Sequence, residues 1–209
     1  MPIIHKQNLA NGIRFAIWKI DESLDELIQL SRKPTERREA IKEFQHDRRR
    51  FEYIATRLLI EHLTSTDADI LYLPSGKPTL ADNSFQISLS HTAGYAAAIV
   101  HPTHYVGIDI EAISPRIMKI KEKFLSTKEL ESIDSTREVN HLLLCWSAKE
   151  SVYKAMSEED VDFKTQIQIV PFIPLEAGIF TIHEYRTSAQ RSYPISYIVS
   201  DDYVMTWTI

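Results

Sequence analysis

Strand-like and helix-like segments of this 209-residue chain come in blocks and do not alternate. NGIRFAIWKI (11–20) is β-rich and alternates after its Gly turn. Residues 22–31 and 35–44 carry helical patterning. Asp47 is placed to cap a longer helix to about Leu63, with Phe51, Ile54 and Leu58 along its apolar side. LPSGKPTLADNS (73–84) is rich in turn formers and predicts a loop. FQISLS (85–90), YAAAIVH (95–101) and YVGIDI (105–110) predict three short strands in a meander. After Ser114-Pro115 a helix is expected over 116–124, and Ser126 with Glu129 spells a capping box. Residues 137–156 give the strongest helical pattern, and four β segments follow: FKTQIQIVPF, AGIFTIHEY, YPISYIVS and YVMTWTI. Blocks of this kind predict an α+β fold with antiparallel sheet. The block order repeats about once, with the change near residue 113, so two similar halves are expected, 1–113 and 114–209. A ligand site at their junction would suit the usual placement of such sites.

Within those blocks one stretch is chemically odd. VGIDIEAI (106–113) places Asp109 and Glu111 in an otherwise apolar run. On a strand, residues two apart share a face, so two carboxylates stand side by side with Ile108 and Ile110 behind them. Two anions on a half-buried face repel. Either the face is solvated or a cation sits between them. LLLCWSAKESVYKA (142–155) adds a second constellation, because on a helix Trp146, Glu150 and Lys154 form one stripe. The bland account is a surface ion pair beside a core Trp. The sharper one makes Glu150 a third oxygen ligand beside Asp109 and Glu111. Carboxylates without a His or Cys cluster favour a hard cation such as Mg²⁺, with Lys154 facing a metal-bound phosphate.

Composition bounds the rest. The chain is 44% hydrophobic and 25% charged, ordinary for a globular protein. Its single cysteine, Cys145, excludes an internal disulfide framework and fits a reducing compartment. The N-terminal MPIIHKQNLANG lacks the charge-then-apolar pattern of a signal peptide, and no apolar run is long enough to span a bilayer. A cytoplasmic location is expected. The net charge is −5, yet the span from Arg32 to Arg57 holds nine Lys/Arg against five acids. A basic segment on an acidic body fits a local anion site, not a nucleic-acid surface. On charge alone, a solvated helix laced with i,i+4 ion pairs is the favoured reading. SLSHTAGY (88–95) puts Ser90 and His91 at a strand end, and SGKP (75–78) presents Lys77 on a turn. Neither is a catalytic motif by itself: neighbours on a strand point apart, and no GxSxG elbow or Walker loop is present.

Taken in order, GKP, SLSH, GIDIE, FLSTKE and WSAKESVYK resemble the 4′-phosphopantetheinyl transferases, of the larger type built as a pseudo-dimer in one chain. The resemblance covers roughly residues 35–155, and GIDIE with WSAKESVYK is its specific part. It implies two halves related by a pseudo-twofold, each an antiparallel sheet packed with helices, in a monomer. It implies transfer of the phosphopantetheine arm of coenzyme A to a serine of an apo acyl or peptidyl carrier protein. Mg²⁺ would be required and adenosine 3′,5′-bisphosphate released. By position, Asp109, Glu111 and Glu150 match the metal-binding acids and Lys154 the lysine near the pyrophosphate. Lys77, Ser90 and His91 match residues at the nucleotide end, and Glu129 an acid proposed to help deprotonate the attacking serine. Arg37 and Arg49 are the candidates for the 3′-phosphate. The sequence departs from the family at KAMSEED (154–160), where a glycine is usual after the helix lysine. Two rivals stay open: a CoA- or carrier-binding paralogue without chemistry, and a Mg²⁺-dependent phosphohydrolase.

Overall fold

The computed structural model describes residues 3–156 and 158–209, so Ser157 of the KAMSEED stretch lies outside the described residues. The fold is α+β with antiparallel sheets packed against helices, in two compact units, Met1–Tyr105 and Val106–Ile209.

In the first unit β1 (Ile3–Asn8), β2 (Arg14–Lys19), β5 (Gln86–Thr92) and β6 (Tyr95–His101) form a sheet in the order β1-β2-β6-β5. Across it packs α3 (Asp47–Thr64), whose Ile54, Leu58, Leu59 and Leu63 are buried against Trp18, Ala96, Ala98 and Val100. The alanines of β6 matter here, since small side chains let the helix axis come close to the strand. Two shorter helices, α1 (Leu24–Leu30) and α2 (Pro34–Ala40), precede α3. Ser23 and Glu26 close a capping box on α1. Asp47 is the first residue of α3, while its expected capping role falls to His46, which makes no side-chain cap. Part of the expected 73–84 loop is a strand: β3 (Ile70–Tyr72) and β4 (Pro78–Leu80) pair as a hairpin around Gly76 at φ +83°. β1 also escaped the sequence pattern.

In the second unit the order is β7-β11-β10-β9-β8, formed by β7 (Ile108–Ala112), β8 (Ile167–Ile169), β9 (Ala177–Glu184), β10 (Ser192–Val199) and β11 (Tyr203–Thr208). β7 therefore does not extend the β5–β6 meander. It pairs with β11, nearly a hundred positions later, with Asp109 opposite Thr206 and Glu111 opposite Val204. The boundary between the units accordingly falls before β7, earlier than residue 113. The helix expected over 116–124 is a 3₁₀ turn, Pro115–Lys119, followed by α4 (Lys121–Phe124). Then come α5 (Thr127–Glu131), where Ser126 and Glu129 do form the capping box, and α6 (Glu138–Met156). α6 lies on β7 and β11. Among the described residues no helix is long and apolar enough to cross a membrane.

Candidate active site

The second unit brings the two odd sequence stretches together. Asp109 and Glu111 alternate with Ile108 and Ile110 on β7, and their face is the one that meets α6. Four residues of helix and two of strand each advance about 6–7 Å, so a stripe at i, i+4, i+8 runs alongside carboxylates at i, i+2. At one end Trp146 donates its indole N–H to Glu111 Oε1 at 2.8 Å. At the other, Lys154 Nζ lies 2.7 Å from Asp109 Oδ1 and 3.0 Å from the Ile108 carbonyl. Glu150 sits between them on the helix. The approach is close because small groups line it. A Cβ on Gly107 would lie 1.8 Å from the Ser151 carbonyl oxygen. The Ser147 hydroxyl bonds the Asp109 carbonyl at 3.1 Å, and the Ser151 hydroxyl bonds that of Thr206 at 3.0 Å.

The electrostatics follow. Asp109 is 4% exposed and Glu111 and Glu150 are half-buried. Burial, with the charge of Asp109 added, pushes the Glu111 carboxyl up to about 7; the Trp146 hydrogen bond and Lys154 offset part of it. The same two causes raise Glu150 to about 7, again moderated by Lys154. Three carboxylates against one ammonium leave excess negative charge on a poorly hydrated face. No three His, Cys, Asp or Glu side chains among the described residues converge closely enough to hold a metal ion as they stand. The donor chemistry nevertheless fits a hard divalent cation: all-oxygen ligands, two of them raised by burial first and by the charge of Asp109 next, with one ammonium drawn onto Asp109. Beside this face opens a cavity of about 420 Å³, walled by Phe124, Trp146 and Phe163, with Glu150, Lys123 and Asp162 at its polar side.

Glu129 stands apart from that face. It is 6% exposed, and both of its oxygens are engaged. Oε2 accepts from the Ser126 N–H and hydroxyl, each at 2.8 Å. Oε1 accepts from the Ile169 N–H at 2.9 Å and meets Lys149 Nζ at 2.8 Å. Lys149 was not singled out from the sequence, though a signal existed. It occupies the buried series Leu142, Cys145, Lys149, Val152, Met156, a lysine where the helix otherwise keeps only apolar side chains.

The first unit gathers the other candidates unevenly. Arg49 Nη1 lies 3.4 Å from His91 Nε2, and His91 Nδ1 lies 3.2 Å from Glu52 Oε1. Arg48 and Arg49 both pair with the same Glu52, which is buried, while their own side chains are largely exposed. One inward carboxylate thus holds two arginines and a histidine at the surface. Arg48 and Glu52 are the members that sequence reasoning missed; the RRR run followed by an acid at i+3 and i+4 was their signal. Ser90 is buried beside His91 on β5. Lys77 lies 3.6 Å over the Tyr105 ring, and burial lowers its pKa. Arg37 has a different place from Arg49. It is 5% exposed and pairs with Glu61 Oε1 at 3.1 Å, in a network that includes Ser31.

The profile of the 4′-phosphopantetheinyl transferase superfamily matches residues 105–208. The chain belongs to that superfamily. The match takes in Asp109, Glu111, Glu129, Glu150 and Lys154, whereas Arg49, Lys77, Ser90 and His91 lie outside it. A 4′-phosphopantetheinyl transferase, gsp, of Aneurinibacillus migulanus is 31% identical over 112 residues, covering 51% of this chain and 46% of the relative. The 4′-phosphopantetheinyl transferases AcpT of Escherichia coli O157:H7 and of strain K12 are each 27% identical over 112 residues, covering 51% of this chain and 57% of theirs. The chain spans about half the length of the curated relatives it matches.

Proposed function

We propose that this chain transfers the 4′-phosphopantetheine arm of coenzyme A to a serine of an apo acyl or peptidyl carrier protein. The products are holo carrier and adenosine 3′,5′-bisphosphate. The observation that carries this reading is the α6 stripe laid on the β7 carboxylates, with Glu111 and Glu150 both raised to about 7. Asp109, Glu111 and Glu150 would hold Mg²⁺, which supplies Lewis-acid polarisation of a pyrophosphate and offsets charge on it. Lys154, its ammonium held at Asp109, is poised to neutralise a pyrophosphate oxygen as the leaving bisphosphate gains charge. The Arg49–His91 pair suits the 3′-phosphate, because an exposed guanidinium beside an imidazole offers charge-assisted donors to a dianion. Lys77 and Ser90 serve the nucleotide end.

The test is direct: incubate apo-carriers with CoA and read the mass of the carrier. A phosphopantetheine adduct that vanishes with EDTA and returns with Mg²⁺ supports the reading. Asp109→Ala should lower the rate by about two orders of magnitude or more, since it removes a ligand and strands Lys154. Activity in metal-free buffer, or phosphate released without any carrier, would overturn it, the latter in favour of a phosphohydrolase.

A further inference from the structure

The buried ammonium of Lys149 has no place in the chemistry above, yet it is a fully committed charge in the core of the second unit. Its side chain is 0% exposed. Three acceptors surround Nζ, each at 2.8 Å: the Phe124 carbonyl at the end of α4, the Phe163 carbonyl in the turn before β8, and Glu129 Oε1 on α5. An ammonium has three protons, so every one is used. Glu129 passes the connection on to Ser126 and to the Ile169 N–H of β8. A charge taken wholly out of water is costly, and an apolar side chain of this length would pack as well or better if packing were the need.

The two backbone carbonyls show what the need is. They belong to the two phenylalanines whose rings bracket Trp146, at centroid distances of 5.2 Å for Phe124 and 5.7 Å for Phe163. Trp146 is one turn before Lys149 on α6, and its indole holds Glu111. The same three rings wall the cavity beside Glu150.

We propose that Lys149 and Glu129 are a positioning pair: their buried ion pair fixes Phe124 and Phe163, which clamp the Trp146 indole onto Glu111. Neither residue touches substrate. Glu129 is then not the base that deprotonates the serine but the counter-charge that keeps Lys149 ionised in the core. The inference rests on the proposed function only for its effect on turnover; the clamp itself is a property of the protein without substrate.

The experiment uses ¹H–¹⁵N spectra of the full chain, whose three tryptophans give three indole N–H signals. The Trp146 signal is assigned by its loss in Trp146→Phe. In Lys149→Met, and in the charge-neutral pair Lys149→Met with Glu129→Gln, that signal should move and its exchange with water should quicken about tenfold or more. The signals of Trp18 and Trp207 should stay in place. The Mg²⁺ concentration for half-maximal transfer should rise about 10–100-fold, the usual cost of losing a group that orients a ligand. In a Trp146→Phe background Lys149→Met should add little, because both act through one contact. If Lys149→Met does not fold, the double variant carries the same readouts. An unmoved Trp146 signal in the folded double variant would overturn the clamp, as would a full additive loss in the Trp146→Phe background. Absence of transfer in the wild-type protein would sink the proposed function instead and leave the spectroscopic result to decide the clamp.

Discussion

Binding of Mg²⁺ to the β7–α6 face should release protons, in a number set by two carboxyls. Glu111 and Glu150 are both pushed up to about 7, by burial first and by Asp109 next. At pH 7 each is about half protonated, so together they hold about one proton. A cation needs both ionised, so about one proton should leave per ion at pH 7, nearly two at pH 6, and only about 0.2 at pH 8. Calorimetric titration of Mg²⁺ into metal-free protein, in two buffers of different ionisation heat, reads this number. Glu150→Gln should cut the release at pH 7 to about half, leaving Glu111 alone. The same shifts act on stability without metal. The folded-state values lie above the ordinary 4.5, so the native protein holds extra protons between about 4.5 and 7. Stability should fall as pH rises through that window and level off above it, by about 3 kcal/mol per group at most. Mg²⁺ should flatten that loss. Release below about 0.2 protons at pH 7, or equal release in Glu150→Gln, would refute the shared negative face.

Gly107→Ala should be among the costlier single-methyl changes in the chain. Its Cβ would meet the Ser151 carbonyl oxygen at 1.8 Å, and helix backbone cannot step aside without moving α6. A loss of about 3 kcal/mol or more is expected, read as a lowered thermal midpoint. His91→Ala should weaken CoA much more than 3′-dephospho-CoA in steady-state kinetics, because the shorter substrate lacks the phosphate that the Arg49–His91 pair suits. Equal losses with both substrates would place His91 elsewhere.

Much of this was legible because it is local. The period of 142–156 names α6, the alternation in AGIFTIHEY and YVMTWTI names β9 and β11, and Ser126 with Glu129 names the start of α5. The carboxylate pair and the helix stripe were legible for the same reason: each lies within a single element. What escaped is set by distant partners. β7 reads as the next strand of a meander until β11 supplies a better edge, and nothing within YVGIDI says so. Arg37 and Arg49 look alike in a run of charge. One is drawn into the core by Glu61 and Ser31, the other held at the surface by Glu52, and those acids lie on α3, out of local view for Arg37. β1 is largely exposed, and β3 and β4 are only three residues each, so neither carries the apolar alternation by which strands are recognised.

α6 ties these threads together. One stripe, Trp146, Glu150 and Lys154, faces the carboxylates of β7; another, Leu142, Cys145, Lys149, Val152 and Met156, faces the core. Trp146 and Lys149 are three residues apart, about 60° around the helix, so the stripes are neighbours on one cylinder. Rotation of the helix cannot adjust one stripe without displacing the other. That explains why the helix is fixed from two sides by contacts that packing alone does not require. Ser147 and Ser151 bond β7 and β11, Gly107 admits the Ser151 backbone, and Lys149 grips three carbonyl and carboxylate oxygens on the far side. Carboxylates that repel one another would relax apart on a loosely held helix. Held this way, the burial of Glu111 and Glu150 and the charge of Asp109 beside them stay in the folded protein as raised affinity for protons, and for a cation that replaces them.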